Sequence, residues 1–171
     1  MRIRVLTKED TQIYRELRLQ ALEHSPTAFA ASYEEEVTYE PHYFENFLNN
    51  QNHIVFGAFE KEQLVGMVTL KTNTRLKLRH IASLKGIYVH QDYQGEGISK
   101  PIIAAAIMRA KELRCEQIHL KVNVKNQIAK GVYTSFGFEI IGMEKDILKM
   151  PNHQYIDEYH MALYFDEWDE A

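Results

Sequence analysis

Residues 84–100 read LKGIYVHQDYQGEGISK, and this short stretch carries more architectural information than the rest of the chain. An apolar run typical of a buried strand passes into a polar turn with two glycines, and that turn leads directly into a helical pattern. The first amides of a helix lack internal partners and lie at the positive end of its dipole, so such a turn is suited to binding phosphate. The expected donors are the main-chain amides of Gly95, Gly97, Ile98, Ser99 and Lys100.

A proline and a further glycine set the limits of this turn. Pro101 has no amide hydrogen and is tolerated only in the first turn of a helix, so the helix in 97–113 must begin near Gly97 to Lys100. Gly86, inside the strand pattern at 81–90, predicts a bulge or a close approach of a ligand. For the turn with Gly95 and Gly97, an ordinary tight strand-to-helix turn is the alternative to a phosphate site. The stretch is not a P-loop, since no Gly-Lys-Ser/Thr follows, and it lacks the third glycine of a dinucleotide fingerprint.

Helical and strand patterns alternate on both sides of this stretch. Apolar residues at helical spacing predict a first helix from about Glu9 to His24, a loop over 25–36 and a second helix within 40–50. Downstream, the pattern at 126–136 predicts another helix. Short β-branched and aromatic runs predict strands at 53–60, 63–70, 81–90, 116–123, 138–145 and 154–165.

The order of these elements predicts how the strands pair. A Lys-Glu turn between 53–60 and 63–70 suits an antiparallel hairpin, whereas the strand-helix-strand unit from 84 to 123 predicts a parallel pair with a right-handed crossover. The result is an α/β protein with a mixed sheet and helices packed on it. Because 171 residues is close to the usual size of one domain, we expect a single domain over 1–171.

Composition argues against several classes of function. A formal net charge of −4 disfavours a nucleic-acid-binding surface, which needs clustered Lys and Arg. No stretch approaches about 18 apolar residues and the N-terminus lacks the apolar core of a signal peptide, so we expect a cytoplasmic protein that does not enter a membrane. The single cysteine, Cys115, is interpreted as a buried inert thiol rather than a nucleophile. The eight histidines lack zinc-site spacing, so no metal is expected.

Two motifs on either side of the 116–123 strand agree in order and spacing with a known family. The first is Gln94-x-x-Gly97-x-Ser99, and the second runs through Asn126, Ala129, Tyr133, Gly137 and Phe138. They resemble the cofactor motif Gln/Arg-x-x-Gly-x-Gly/Ala and the downstream Asn-x-x-Ala-x-x-x-Tyr-x-x-x-Gly-Phe pattern of the Gcn5-related N-acetyltransferase (GNAT) superfamily, with Ser99 as a mild departure. The resemblance covers about 53–145.

This resemblance implies a fold, a co-substrate and a set of binding residues. The fold is a mixed, mostly antiparallel central sheet of about six or seven strands, with a splayed parallel pair in the middle and helices on both faces. Acetyl-CoA, the acetyl donor, is expected to lie with its pyrophosphate on the turn at 94–100. The residues implied in cofactor binding are Ile87, Tyr88 and Val89 through the main chain, Gln94, Gly95, Glu96, Gly97, Ile98, Ser99 and Lys100 in the turn, and Asn126 and Tyr133 downstream.

Acetyl transfer to an amine needs a deprotonated nucleophile, stabilisation of charge on oxygen, and a proton for the departing thiolate. The resemblance implies that Tyr133 is the catalytic residue that supplies this proton, and the alternative is a tyrosine that only packs under the sheet. The main-chain amide of Tyr88 is a candidate for polarising the thioester carbonyl. For the general base, the glutamates at 34–36, His80, Ser83 and ordered water all stay open.

The acceptor is expected to be a primary amine of a small molecule, amino acid or peptide, attacked directly in a ternary complex. The alternatives are an N-terminal or lysine acetyltransferase acting on proteins, and a non-catalytic acyl-CoA-binding module. The acidic run at 34–36 leans toward a cationic amine, although such runs are more often solvated. The aromatic residues of the second helix and its approach are interpreted as core rather than pocket lining; they are Tyr39, Tyr43, Phe44 and Phe47. The resemblance also suggests a homodimer.

Overall fold

The computed structural model describes residues 1–166, which form a sheet of seven strands. The strands are β1 (Arg2–Val5), β2 (His53–Glu60), β3 (Gln63–Thr72), β4 (Ile81–Val89), β5 (Gln117–Asn123), β6 (Glu139–Lys149) and β7 (Tyr155–Tyr164). Their order across the sheet is β1-β2-β3-β4-β5-β7-β6. The pair β4 and β5 is parallel and the other neighbouring pairs are antiparallel, which confirms the predicted mixed sheet.

Helices cover both faces of this sheet. They are α1 (Thr11–His24), α2 (Tyr33–Glu36), α3 (Pro41–Asn49), α4 (Ser99–Glu112) and α5 (Gln127–Ser135). The predicted interval for the start of α4 is confirmed, since the helix begins at Ser99 and Pro101 lies in its first turn. Helix α1 begins later than the sequence pattern indicated, because Lys8–Asp10 form a separate 3-10 turn that Thr7 and Asp10 close with a capping box.

Two elements were missed by the sequence analysis. Strand β1 was not predicted because it is a four-residue edge strand with only Ile3 and Val5 as apolar side chains, and pairing with β2 is what makes it extended. The expected loop over 25–36 contains the short helix α2, whose N-cap Ser32 accepts a hydrogen bond from the Glu35 amide. That helix matters below, because it orients Glu36 toward the interior.

Each face of the sheet has its own hydrophobic core. Beneath α4, the side chains of Ile102, Ile103 and Ala106 pack on the face of β3, β4 and β5 that also carries Leu84 and Ile118. Fully burying one such branched side chain stabilises the fold by about 1.5–3 kcal/mol. Cys115 belongs to this core, and burial raises the pKa of its thiol, as the interpretation of an inert cysteine requires.

The opposite face is covered by α1 and α3 over only part of the sheet. Tyr14 and Leu17 of α1 and Phe44 of α3 pack against Met67 of β3 and Tyr88 of β4. This second core lies over β2, β3 and β4, whereas β5, β7 and β6 carry polar and charged side chains on the same face. The helical cover therefore ends near the middle of the sheet, beside the parallel pair.

The parallel pairing of β4 and β5 extends only from Ile81 and Gln117 to Ser83 and His119. Beyond that point no pairing joins the two strands in the described part of the chain, and a cleft opens between them. The prediction of a splayed parallel pair in the middle of the sheet is therefore confirmed. The main-chain groups that line this cleft lack the strand partners that a continuous sheet would supply.

Strand β4 also carries the bulge that its interior glycine predicted. Thr69 pairs with Lys85 and Met67 pairs with Tyr88, so β4 has one more residue than β3 over this interval. Gly86 adopts a φ of 64°, in the left-handed region that favours glycine. The bulge places Lys85 and Gly86 on the same face of the sheet, the face that α1 and α3 partly cover.

Two further properties of residues 1–166 bear on function. None of the helices there is long and apolar enough to cross a membrane. The same residues contain no group of three or more His, Cys, Asp or Glu side chains arranged to hold a metal ion.

Candidate active site

The turn at residues 94–100, called the glycine turn below, joins the end of β4 to the start of α4. Gly95 and Gly97 adopt φ values of 82° and 77°, which a residue with a side chain rarely accepts. A Cβ atom added at either glycine meets nothing within 4 Å, so the concave side of the turn is open. The N-cap position of α4, Ile98, has no side chain that satisfies the first amides of the helix. An exposed, unsatisfied helix start is the geometry that binds a phosphate group.

Neighbouring side chains hold the glycine turn in place. The Gln94 side-chain amide donates a 2.9 Å hydrogen bond to the Val89 carbonyl, which ties the turn to the end of β4. Ile98 is only 5% exposed and packs in the core beside Gly66, where an added Cβ would lie 2.7 Å from Ile102. The turn is therefore anchored by Gln94 and Ile98, while the predicted site residues Glu96 and Lys100 are exposed to solvent.

The register of β4 shows which main-chain groups face the cleft. The His90 amide donates to the Val65 carbonyl of β3. Because main-chain groups alternate in direction along an antiparallel pair, the amide and carbonyl of Tyr88 also face β3, opposite Met67. The amide and carbonyl of Val89 face away from β3. Val89 therefore presents main-chain groups to the cleft between β4 and β5. The predicted candidate for polarising a carbonyl, the Tyr88 amide, is directed at β3 instead, and its hydroxyl donates to the Gln20 side chain at 3.1 Å.

The two predicted site residues downstream lie at either end of α5. Asn126 is the N-cap, and its side-chain oxygen accepts a 3.1 Å hydrogen bond from the Ala129 amide. Tyr133 is 7% exposed and packs edge-on against Phe138, with ring centroids 6.0 Å apart. Burial raises the pKa of the Tyr133 hydroxyl to about 12, so at neutral pH this group is protonated and can act as a hydrogen-bond donor.

A second concavity lies across the sheet from the glycine turn, and we call it the aromatic pocket. It is bounded by α1, α3, β3 and the bulge of β4, and its volume is about 180 Å³. The aromatic side chains that line it are Tyr14, Tyr43, Phe44 and Phe47. The charged side chains that line it are Arg18, Glu36, Lys71 and Lys85. The interpretation of the aromatic residues as core alone is thus incomplete, because three of those four predicted core residues also line this pocket.

An ion pair forms the inner wall of the aromatic pocket. Arg18 of α1 donates two hydrogen bonds to Glu36, of 3.0 Å from Nε and 2.9 Å from Nη2. Glu36 is 5% exposed, whereas Glu34 and Glu35 face the solvent. The expectation that all three glutamates form a solvated run is therefore wrong for Glu36, the last residue of α2, whose side chain is buried. Because its carboxylate is fully engaged by Arg18, it adds no free negative charge to the pocket.

The uncovered part of the same face carries further ionisable groups. Lys85 shares this face with Lys121 of β5, and Lys121 pairs with Glu144 of β6 at 2.7 Å. Burial, followed by the charges of Lys71 and Lys121, lowers the pKa of Lys85. The sequence analysis singled out none of these lysines. The alternation of side chains along β4 does put Lys85 on the face of the sheet opposite to that of the buried Leu84. Only the positions of α1 and α3 show that this face of the sheet is partly uncovered.

A pair of histidines lies beside the point where β4 and β5 part. His160 Nε2 lies 3.1 Å from His119 Nδ1, and His119 Nε2 lies 2.6 Å from the Gln117 side-chain oxygen. Burial, followed by the proximity of His160 and His80, lowers the pKa of His119, so it is uncharged at neutral pH. Ser83, one of the predicted candidates for a base, is the parallel-strand neighbour of His119.

The sequence and the fold of this chain both match those of known proteins. Residues 12–138 match the Acetyltransferase (GNAT) family. An L-amino acid N-acetyltransferase of Escherichia coli is 34% identical over 100 residues, which cover 58% of this chain and 60% of that protein. A [ribosomal protein bS18]-alanine N-acetyltransferase of Haemophilus ducreyi is 27% identical over 119 residues, covering 68% of this chain and 79% of that protein. The chain thus spans less than two thirds of the length of the Escherichia coli relative.

Among solved structures, yncA of Salmonella typhimurium, determined with its cofactor acetyl-CoA, superposes with a TM-score of 0.85. The match covers 98% of this chain and 95% of that chain at 18% sequence identity. At that identity the likeness establishes a common fold, with the same arrangement of sheet and flanking helices.

Proposed function

The chain belongs to the acetyltransferase (GNAT) family, and on this premise we propose that it moves an acetyl group from acetyl-CoA to the primary amine of a small acceptor by direct attack in a ternary complex. The observation that carries the proposal is the cleft between β4 and β5, with the glycine turn at its outer end and the aromatic pocket beside the β4 bulge. A donor in the cleft and an acceptor in the pocket then meet at the middle of the sheet.

Acetyl-CoA binding is assigned mainly to main-chain groups. The pyrophosphate accepts hydrogen bonds from the amides of the glycine turn, where the two positive-φ glycines leave room for its oxygens. The pantetheine arm, which carries amides, extends along β4 and pairs with the main chain of Ile87 and Val89 as an added strand does. Tyr88 contributes by fixing the strand through Met67 and Gln20. Asn126 positions α5, and thereby Tyr133, through its capping bond.

The chemical step then follows from the groups at the cleft. The amine nitrogen forms a bond to the thioester carbonyl carbon, and the carbon–sulfur bond breaks as the tetrahedral intermediate collapses. The departing thiolate takes the proton of the Tyr133 hydroxyl, and the phenolate that is left regains a proton from solvent before the next turnover. The proton lost by the amine passes to the uncharged imidazole of His119, which lies on the acceptor side of the sheet beside His160.

Calorimetric titration of the purified protein with acetyl-CoA and with free CoA tests the cofactor half of the proposal. The expected result is saturable binding of both. Thiol release, followed with a panel of amines, amino acids and peptides, tests the transfer half, and the expected result is release that depends on the acceptor. Failure of acetyl-CoA to bind would overturn the proposal, and binding without acceptor-dependent release would favour a non-catalytic acyl-CoA-binding module.

A protein acceptor is the second candidate within the enzyme class, and the name of the Haemophilus ducreyi relative favours it. The aromatic pocket favours a small acceptor instead, because its volume of about 180 Å³ is below the roughly 300–1,000 Å³ of pockets that hold drug-sized ligands. Turnover of an alanine-terminated peptide in preference to every free amine would decide for the protein acceptor.

Two further features belong to this proposal. Residues 1–171 act as one N-acetyltransferase domain, since both cores share the same sheet. The chain pairs as a homodimer through the β6 edge, where Ile140, Met143 and Ile147 are between 40% and 55% exposed. Sedimentation equilibrium distinguishes the dimer from a monomer.

A further inference from the structure

The aromatic pocket differs from the rest of the molecule in its charge. The chain as a whole has a formal net charge of −4, yet the charged side chains at this pocket are three cations and one carboxylate. Arg18 and Glu36 neutralise each other through their two hydrogen bonds. Lys71 and Lys85 remain, and neither forms an ion pair with a carboxylate in residues 1–166. The pocket therefore carries two uncompensated positive charges.

These two lysines are close neighbours because of the strand register. Lys71 pairs with Ser83, Thr69 pairs with Lys85, and side chains at such diagonal positions lie on the same face within reach of each other. Like charges at this separation repel, and because both side chains are exposed, water and salt screen part of the repulsion. His53, on the same wall, has its pKa lowered by burial and, among smaller causes, by these two lysines. It therefore contributes no third charge at neutral pH.

Nothing in the fold itself requires this arrangement. Neither lysine donates a hydrogen bond to a side chain in residues 1–166, and both line the pocket that α1 and α3 leave open. Glu144 of β6 and Glu158 of β7 form no ion pair with either lysine, and Glu144 is already bound by Lys121. A ligand with negative charge would relieve the repulsion between Lys71 and Lys85 and would receive charge-assisted hydrogen bonds from both.

The other walls of the pocket indicate the remainder of such a ligand. The rings of Tyr14, Phe44 and Phe47 offer an apolar surface, with Tyr14 and Phe47 stacked at a centroid distance of 5.9 Å. The volume of about 180 Å³ is below the roughly 300–1,000 Å³ of pockets that hold drug-sized ligands. Gly86 lies at the pocket wall and brings the bulge of β4 next to the ligand, near the middle of the sheet where the proposed function has donor and acceptor meet.

We propose that the acceptor is a small amino acid-like molecule, with an apolar side chain in the aromatic pocket and a carboxylate bound by Lys71 and Lys85. This inference rests on the proposed function for the amine, but the carboxylate subsite is a separate claim about binding. It replaces the expectation of a cationic acceptor that the acidic run at 34–36 suggested, because Glu36 is neutralised and the other two glutamates face solvent. Specificity arises because an amine without a carboxylate leaves the two ammonium groups unpaired.

Matched pairs of acceptors test the subsite. L-phenylalanine is compared with phenethylamine, and L-leucine with isoamylamine, so that each pair differs only by the carboxylate. The expected kcat/KM is about 10- to 100-fold higher for each acid than for its amine, as one or two hydrogen bonds between charged groups predict. Lys85→Gln and Lys71→Gln should each reduce this preference, and the double variant should abolish it. Lys8→Gln, an exposed lysine of the N-terminal 3-10 turn, is the matched control and should retain it.

Binding measured without turnover separates this inference from the proposed function. Calorimetric titration of the protein saturated with free CoA should show binding of L-phenylalanine that weakens about tenfold or more in Lys85→Gln. Binding of the acid without any acetyl transfer would overturn the proposed function and leave the subsite standing. Equal binding and turnover of acid and amine, or a preference unchanged in the double variant, would overturn the subsite. Acetylation of peptides alone, with no free amino acid turned over, would also overturn the subsite.

Discussion

The glycine turn and the aromatic pocket, which lie on opposite sides of the same cleft, are constructed in different ways. The glycine turn is a continuous run of residues that acts through its main chain, and an added Cβ at Gly95 or Gly97 would meet open space. The aromatic pocket is assembled from α1, α2, α3 and three strands, and it acts through side chains. Its inner wall joins Arg18 to Glu36, which are 18 residues apart in sequence.

This difference predicts different consequences of mutation. A change in the glycine turn removes binding but leaves the cores intact, because no buried side chain depends on it except that of Ile98. A change at the Arg18–Glu36 ion pair in the wall of the aromatic pocket alters the packing of α1 against α2, so it affects folding as well as any bound acceptor. The three predictions below test this contrast, beginning with the largest expected effect.

Gly97→Glu should weaken acetyl-CoA binding by about 4 kcal/mol, roughly a 1,000-fold higher Kd, because the substitution strains a left-handed residue and disrupts amide bonds to a charged phosphate. The new carboxylate also repels the pyrophosphate. Calorimetric titration measures the effect, and urea unfolding should show a smaller loss of stability. Gly131→Glu is the control, because Gly131 is exposed with open space around it and has no left-handed φ.

An unchanged Kd for Gly97→Glu would show that the glycine turn is only a connection between β4 and α4. Equal weakening by Gly97→Glu and Gly131→Glu would point to a general charge effect rather than to a site.

Glu36→Gln should lower the free energy of unfolding by about 3 kcal/mol, because removing one partner of a buried ion pair leaves the other charge uncompensated. Arg18 is the charge left behind, with its side chain 18% exposed. Urea denaturation at pH 7 measures the change. Glu34→Gln, two residues away and exposed, should cost almost nothing. The double variant Arg18→Met, Glu36→Leu should be less destabilised than Glu36→Gln alone, and the opposite order would contradict this account.

Tyr133→Phe should reduce kcat by about 100-fold, the low end of the range for loss of a general acid. The Kd for acetyl-CoA should change little. The pKa of about 12 means that the hydroxyl stays protonated throughout an assay from pH 6 to about pH 10, so Tyr133 should produce no alkaline decline of kcat in that range. Because this folded-state pKa is above the unfolded value, its contribution to stability is present at neutral pH and is lost as the pH rises from about 10 through about 12.

Steady-state kinetics with the same acceptor as the parent enzyme provide the measurement. The control is Tyr164→Phe, because Tyr164 is 48% exposed near the end of β7. Undiminished kcat in Tyr133→Phe would assign this tyrosine to packing against Phe138 alone, which is the alternative interpretation.

Much of the fold was predictable from local patterns. The bulge at Gly86, the start of α4 at Ser99 and the hairpin between β2 and β3 each depend on backbone rules that act within a few residues. Strand β1 escaped prediction because its extended form depends on pairing with β2, some fifty residues later in the chain. Helix α2 escaped because four residues are too few for a periodic pattern.

The sequence by itself determined the glycine turn, the strand and helix that flank it, and the motif that identifies the family, because all of these are contiguous and the turn depends on main-chain conformation. Only the tertiary structure decided that Glu36 is buried against Arg18 and that Lys71 and Lys85 share one pocket. The physical reason is that the charge of a pocket depends on which side chains meet across strands and helices. Strand register and helix packing determine these side-chain contacts, and neither can be read from the spacing of residues along the chain.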